Sequence, residues 1–96
     1  MAYVVTAVWT AQPGREDIVR DAILQLVPPS RAEPGCRFYQ PYADPDDPQV
    51  FRLFEIYDDE AAYKAHAESE HFQRLALGQG IPELETRERA FYETFE

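Results

Sequence analysis

The sequence has few residues of several kinds, and each shortage excludes a class of protein. Cysteine occurs once in 96 residues, which excludes an internal disulfide framework and predicts a reducing, cytoplasmic location. No apolar run approaches the roughly 20 residues of a membrane span, and no charged-then-apolar segment opens the chain, so we expect no membrane partner and no leader. Nine basic residues against eighteen acidic ones give a net charge of −9, which predicts no binding to nucleic acid.

The remaining composition is that of one small globular domain spanning residues 1–96. Hydrophobic residues make up 45% of the chain and aromatic residues 14%, which is enough for a single core but not for two. The two histidines, His66 and His71, are the only side chains whose ordinary pKa lies near neutrality. They are therefore the first candidates for proton-transfer chemistry.

Hydrophobic periodicity predicts four strands and two helices. The β-branched and aromatic residues at 2–10 indicate a strand, and apolar residues repeating at i+4 through residues 18–27 indicate an amphipathic helix. Pro28 and Pro29 are expected to end or kink that helix. Further strands are predicted at 36–43, 50–57 and 83–95. A helix capped by Asp58 is expected to run to residue 67, followed by a turn from Ser69 to about residue 77.

The predicted order is β-α-β-β-α-β, with no internal repeat and no linker. This order is typical of a ferredoxin-like α+β fold, in which a four-stranded antiparallel sheet carries both helices on one face. In the first strand, however, both faces are apolar: Val5 and Trp9 lie in one register and Val4 and Val8 in the other. Because the second face would otherwise be exposed, we expect the chain to form a homodimer.

Three stretches of the sequence carry a family resemblance. They are Pro13-Gly14, the turn at residues 30–36, and residues 54–72 with the pattern E-x-Y-x-D-x-x-A followed by H-x-x-S-x-H-F. With these motifs the chain resembles the antibiotic biosynthesis monooxygenase family over nearly its whole length. The resemblance implies a dimeric α+β barrel in which each protomer encloses a pocket between its sheet and its helices.

The resemblance also implies a range of activities. Some relatives oxidise aromatic polyketide or quinol-type substrates with molecular oxygen and no cofactor, whereas others isomerise small carbonyl compounds or degrade haem. Haem-degrading relatives use an asparagine, a helix tryptophan and a histidine one turn later. This chain has no asparagine, and His66 and a position near Ala76 stand where the tryptophan and the histidine would be. The sequence therefore predicts no haem degradation, and its missing asparagine and helix tryptophan also differ from the polyketide-oxidising site.

Oxidation without a cofactor requires a base that ionises the substrate. His66 is the predicted general base, Glu55 the residue that orients it, and His71 an auxiliary donor. A two-histidine, one-carboxylate metal site from the same three residues is the alternative, but the spacing of five between the histidines does not suit a helical ligand pair, and we expect no metal. Aromatic rings are the predicted substrate-binding surface: Tyr39, Phe51, Tyr57, Tyr63 and Phe72.

The leading hypothesis is a cofactor-independent monooxygenase that oxidises a small aromatic or quinol-type substrate with molecular oxygen. The sequence has no glycine-rich dinucleotide loop and no cysteine cluster, so we expect no cofactor. Two alternatives stay open at this point. One is an isomerase or proton-transfer enzyme acting on a small carbonyl compound, and the other is a non-catalytic dimer that binds a small molecule.

Overall fold

A computed structural model of the chain describes all residues from Met1 to Glu96. It contains strands β1 (Tyr3–Ala11), β2 (Cys36–Ala43), β3 (Val50–Tyr57) and β4 (Leu84–Glu93), and helices α1 (Glu16–Arg31) and α2 (Glu60–Glu68). A π-helical segment (Phe72–Gly80) and a short 3-10 turn (Ile81–Glu83) join α2 to β4. No helix combines the length and apolar character that a membrane crossing requires.

The four strands form one antiparallel sheet in the order β2-β3-β1-β4. The predicted element order and the ferredoxin-like fold are therefore confirmed. Strands β2 and β3 have the predicted bounds, and β1 and β4 differ from prediction by at most two residues at either end.

The core lies between the sheet and the helices. Side chains alternate along β3, so that Phe51, Leu53, Glu55 and Tyr57 share one face and are buried on the helix side. Phe51 and Leu53 pack with Trp9 and its neighbours of β1 and with the apolar faces of α1 and the π-helical segment. The opposite face presents half-buried and exposed apolar residues: Val4, Val8, Phe38, Phe54, Ile56 and Tyr92.

Two predicted details of the helices differ from the structure. Of the two outcomes expected at Pro28 and Pro29, an end to the helix is excluded, because α1 continues to Arg31. The carbonyls that the two prolines leave without a helical partner belong to Leu24 and Gln25, which are exposed, so water can bind them. The N-terminal cap of α2 is Asp59 rather than Asp58, since the Asp59 side chain accepts a hydrogen bond of 2.9 Å from the Ala62 amide. Asp58 instead pairs with Arg37 across 2.6 Å.

Candidate functional site

A carboxylate and two histidines form a hydrogen-bonded cluster beside the core. Glu33 Oε2 lies 2.7 Å from Nδ1 of His66 and 2.5 Å from Nε2 of His71. An ionised carboxylate only accepts hydrogen bonds, so both ring nitrogens carry the hydrogen in this arrangement. In neutral His66 the hydrogen on Nδ1 leaves Nε2 unprotonated and able to accept a proton.

The local chain explains why Glu33 reaches His66. Glu33 lies in the turn between α1 and β2, and Gly35 in the same turn packs directly against α2: a Cβ on Gly35 would lie 2.5 Å from Cβ of Ala62. The turn is also held to the residues just before α2, because the Asp58 amide donates a hydrogen bond of 2.9 Å to the Gly35 carbonyl. Ala62 and His66 are four residues apart and share a helix face, so the contact at Gly35 brings Glu33 beside the imidazole.

Glu55, the predicted orienting residue, approaches the other side of the ring. Its Oε1 lies 3.9 Å from Nε2 of His66, which is too long for a hydrogen bond, and accepts a bond of 2.6 Å from the Tyr57 hydroxyl. The residue that holds His66 by a hydrogen bond is therefore Glu33, and the assignment to Glu55 is corrected. Glu33 was missed because it was interpreted only as part of a turn.

Burial changes the ionisation of the groups around His66. The pKa of the Glu55 carboxyl is raised, chiefly because burial penalises its charged form. The pKa of the Tyr57 hydroxyl is raised by burial and by the neighbouring Glu55 carboxylate. Desolvation likewise raises the pKa of Tyr39. Burial therefore disfavours the charged form of each of these three groups beside the imidazole.

A small cavity adjoins His66 on the sheet side. Its free volume is about 20 Å³, which is room for a single water molecule. Predicted residues Tyr39, Glu55, Tyr63 and Phe72 line it together with His66. Val5, Ala7, Trp9 and Leu53 supply the apolar wall, and Arg87 and Arg89 of β4 complete the lining. Neither arginine was singled out in the sequence.

The remaining predicted residues lie apart from this cavity. Tyr57 packs against the His66 ring, with centroids 5.4 Å apart, but does not line the cavity. Phe51 lies beneath the Arg20 guanidinium, 5.3 Å from it, in a separate groove. Residues 51 and 57 share a face of β3, yet they are separated by about 20 Å of extended strand, so alternation alone could not place both at one site. His71 also lies outside the cavity lining and contacts the cluster through Glu33.

The cluster has the donor types of a cation site. Ligand-type atoms of Glu33, His66 and His71 lie within 4.8 Å of one another, so Glu33 takes the place that the sequence gave to Glu55 in a two-histidine, one-carboxylate set. Around a tetrahedral ion with bonds of about 2.0–2.1 Å, neighbouring donor atoms would be about 3.3 Å apart. The observed distances of 2.7 and 2.5 Å are shorter and are those of hydrogen bonds.

Comparisons with known proteins agree with the fold. A family model described as antibiotic biosynthesis monooxygenase matches residues 2–76. The chain is similar to the crystal structure of PA3566 from Pseudomonas aeruginosa, with 28% identity, 99% of this chain and 95% of that chain covered, and a TM-score of 0.88. It is similar to Rv0793 from Mycobacterium tuberculosis, with 25% identity, coverage of 100% and 97%, and a TM-score of 0.90.

A crystal structure of an antibiotic biosynthesis monooxygenase is 29% identical, with 100% of both chains covered and a TM-score of 0.89. A search of curated proteins found no significant match.

Proposed function

Because the chain belongs to the antibiotic biosynthesis monooxygenase family, we propose that it oxidises a small aromatic or quinol-type substrate with molecular oxygen and without a cofactor. The observation that carries the proposal is the state of His66. Its ring is 2% exposed, its Nδ1 hydrogen is bound by Glu33, and its Nε2 has no hydrogen-bond partner beside a cavity lined by aromatic rings. A buried base held in one tautomer beside an apolar pocket suits removal of a proton from a hydroxyl group.

The chemistry begins with that proton. A hydroxyl hydrogen of the substrate moves to Nε2 of His66, and the electron pair of the broken O–H bond stays on the substrate oxygen. The resulting electron-rich anion passes one electron to oxygen, and recombination forms a carbon–oxygen bond. His66 returns its proton to the outer oxygen of this peroxide. The O–O bond then breaks as the hydrogen on the oxidised carbon is lost as a proton, so a carbonyl forms, one oxygen atom stays in the product and the other leaves as water. Glu33 stabilises the imidazolium formed in the first step, because its carboxylate remains hydrogen-bonded to Nδ1.

His71 has a positioning role in this proposal. It donates to the same oxygen of Glu33 as His66 does, and it does not line the cavity. By binding Glu33 from a second side, it restricts the carboxylate to the orientation that His66 requires. It therefore acts on the base through Glu33 rather than on the substrate.

We propose further that the protein is a cytoplasmic homodimer. The support for a dimer is the sheet face opposite the helices, where Phe38, Tyr42 and Tyr92 are between 44% and 57% exposed. Apolar surface of this kind on a central sheet favours contact with a second copy through the same face. The single cysteine supports a reducing compartment.

Oxygen uptake with a panel of hydroquinones and anthrones tests the activity. We expect turnover by the wild type, and a fall in kcat of about 10²–10⁴-fold in His66→Ala, as is typical for loss of a general base. The Arg74→Gln variant, which changes an exposed residue remote from the cavity, serves as the control. Turnover by folded His66→Ala at the wild-type rate would contradict the assigned base. Turnover that persists without oxygen would instead indicate isomerase chemistry.

A further inference from the structure

One side of the cavity beside His66 is formed by residues that are not buried, and we call this side its entrance. Of the side chains that line it, only Tyr63, Arg87 and Arg89 are not buried. Arg89 donates a hydrogen bond of 3.2 Å to the Tyr63 hydroxyl, which links β4 to α2 at this point. The part of the lining that reaches solvent is therefore formed by Tyr63 and the two arginines, and the water-sized volume means that side chains must move to admit a larger molecule.

Arg87 has an unused donor at this entrance. Its Nε is buried and has no hydrogen-bond partner. A buried donor without a partner costs free energy, and such atoms are few in folded proteins. The Nε–H of Arg87 is therefore available to an acceptor that enters the cavity.

The two guanidinium groups also lack carboxylate partners. Arg15, Arg37 and Arg74 form ion pairs elsewhere in the chain, whereas Arg87 and Arg89 form none. They lie two residues apart on the same face of an edge strand, so their like charges repel. Burial and the charge of Arg89 lower the pKa of Arg87. An anion bound between the two arginines would reduce both their mutual repulsion and the cost of burying the Arg87 charge. A cationic entrance also contrasts with the net charge of −9.

We propose that Arg87 and Arg89 form an anion-binding subsite that holds the ionised oxygen of a phenol or enol substrate next to His66. This inference rests on the proposed function, because it assigns the group that receives the oxyanion formed by His66. The O–H bond of the substrate breaks, its proton binds Nε2 of His66, and the electron pair left on oxygen accepts the Nε–H of Arg87. A planar guanidinium can hold such an oxygen. Because the observed cavity has room for one water molecule only, the two arginine side chains must move apart before the ring can follow.

The subsite can be tested without turnover by titrating 4-nitrophenol, whose ionised form has its own absorbance. In the wild type we expect the bound phenol to ionise about one to three pH units below the free phenol, because a cation within contact distance favours the anion. In Arg87→Gln we expect the affinity for the phenolate to fall about tenfold or more, with the bound pKa returning to that of free 4-nitrophenol. Arg87→Lys, which keeps the charge but loses the planar fork, should be intermediate.

Three controls decide the outcome. Arg74→Gln removes one positive charge from the surface and should bind the phenolate as the wild type does. His66→Ala is assayed for oxygen uptake and Arg87→Gln for phenolate binding, so failure of the oxidase activity is separable from failure of the subsite. Wild-type protein that binds no phenolate, folded Arg87→Gln that binds it unchanged, or inorganic phosphate that binds equally well in an Arg87-dependent manner would each overturn the proposal.

Discussion

Glu33 Oε2 lies 2.7 Å from Nδ1 of His66, and this hydrogen bond joins a turn after α1 to a buried ring on α2. It leaves Nε2 as the nitrogen that faces Glu55 and the cavity. The same carboxylate oxygen binds His71, so a single side chain fixes the relative positions of the two histidines.

We expect Glu33→Gln to lower kcat about a hundredfold or more with little change in KM. A glutamine amide can donate to Nδ1, which would move the ring hydrogen to Nε2 and remove the base. The tautomer of His66 can be read from its imidazole nitrogen shifts in NMR spectra. Glu70→Gln, an exposed glutamate paired with Arg74, is the control. Unchanged nitrogen shifts and unchanged kcat in Glu33→Gln would show that Glu33 does not set the tautomer.

Glu55→Gln is expected to be more stable than the wild type at neutral pH. Burial raises the folded-state pKa of Glu55 above its ordinary 4.5; Glu33 acts in the same direction, while Tyr57, His66 and Arg87 oppose it. As pH rises through 4.5 the unfolded chain loses this proton first, so wild-type stability falls until the raised folded-state pKa is passed. The advantage of Glu55→Gln should therefore shrink below pH 4.5. Urea unfolding at neutral and acidic pH measures it, and an advantage independent of pH would refute the explanation.

Cys36 should react slowly with thiol reagents. Burial, together with the nearby Glu33 carboxylate, raises the pKa of its thiol to about 11. At pH 8 only about one thiol in a thousand would then be ionised, and alkylation should be on the order of a hundredfold slower than that of free cysteine. The rate with iodoacetamide measures this, and the same protein in denaturant is the control. A native rate equal to the denatured rate would mean that the fold does not protect the thiol.

Gly35→Ala is expected to destabilise the fold by about 1–3 kcal/mol, because its Cβ would overlap Ala62. The double variant Gly35→Ala with Ala62→Gly removes the overlap and should recover part of the loss, less the cost of about 1 kcal/mol for glycine in a helix. Thermal unfolding of the single and double variants measures the coupling. Additive effects of the two changes would show that the two residues are not in tight contact.

Phe54→Lys should convert the proposed dimer to a monomer. Phe54 lies on the outer sheet face, packed edge-on against Phe38 with ring centroids 5.7 Å apart. A lysine there would place two like charges in a symmetric apolar interface, and we expect dissociation to become more than tenfold easier. Light scattering after size exclusion gives the mass. Leu24→Lys, on the exposed side of α1, is the control and should leave the mass unchanged. Equal masses for Phe54→Lys and the wild type would place the interface elsewhere.

The sequence predicted the scaffold better than the site. Alternation along β3 predicts that Glu55 and Tyr57 share one face, because strand periodicity fixes the face of each residue, and the structure shows that this face is buried against the helices. It could not place Glu33, whose role depends on a contact between a turn and a helix that are distant in sequence. A signal was nevertheless present: antiparallel pairing sets Cys36 beside Tyr57, so an acidic residue just before β2 must lie near the start of α2.

The π-helical segment was predicted only as a turn from Ser69. Its first residues follow the predicted signal, since the Ser69 hydroxyl accepts a hydrogen bond of 3.2 Å from the Phe72 amide. The π-helical geometry that continues to Gly80 could not be predicted from hydrophobic periodicity, because the α-helical period of 3.6 residues does not apply to a π-helix. The segment ends at Gly80, which packs closely against Trp9 and Ala22: a Cβ there would meet these neighbours at 3.0 and 3.3 Å.

The turn that carries Glu33 has a consequence for how this fold can vary in length. One inserted residue between Arg31 and Cys36 would displace the carboxylate by about 3 Å, more than a hydrogen bond tolerates. The Asp44–Asp47 loop at the other end of β2 is held by its own side chains and contacts neither histidine. Related chains that keep the chemistry are therefore expected to differ in length at the second loop and to share the spacing of the first.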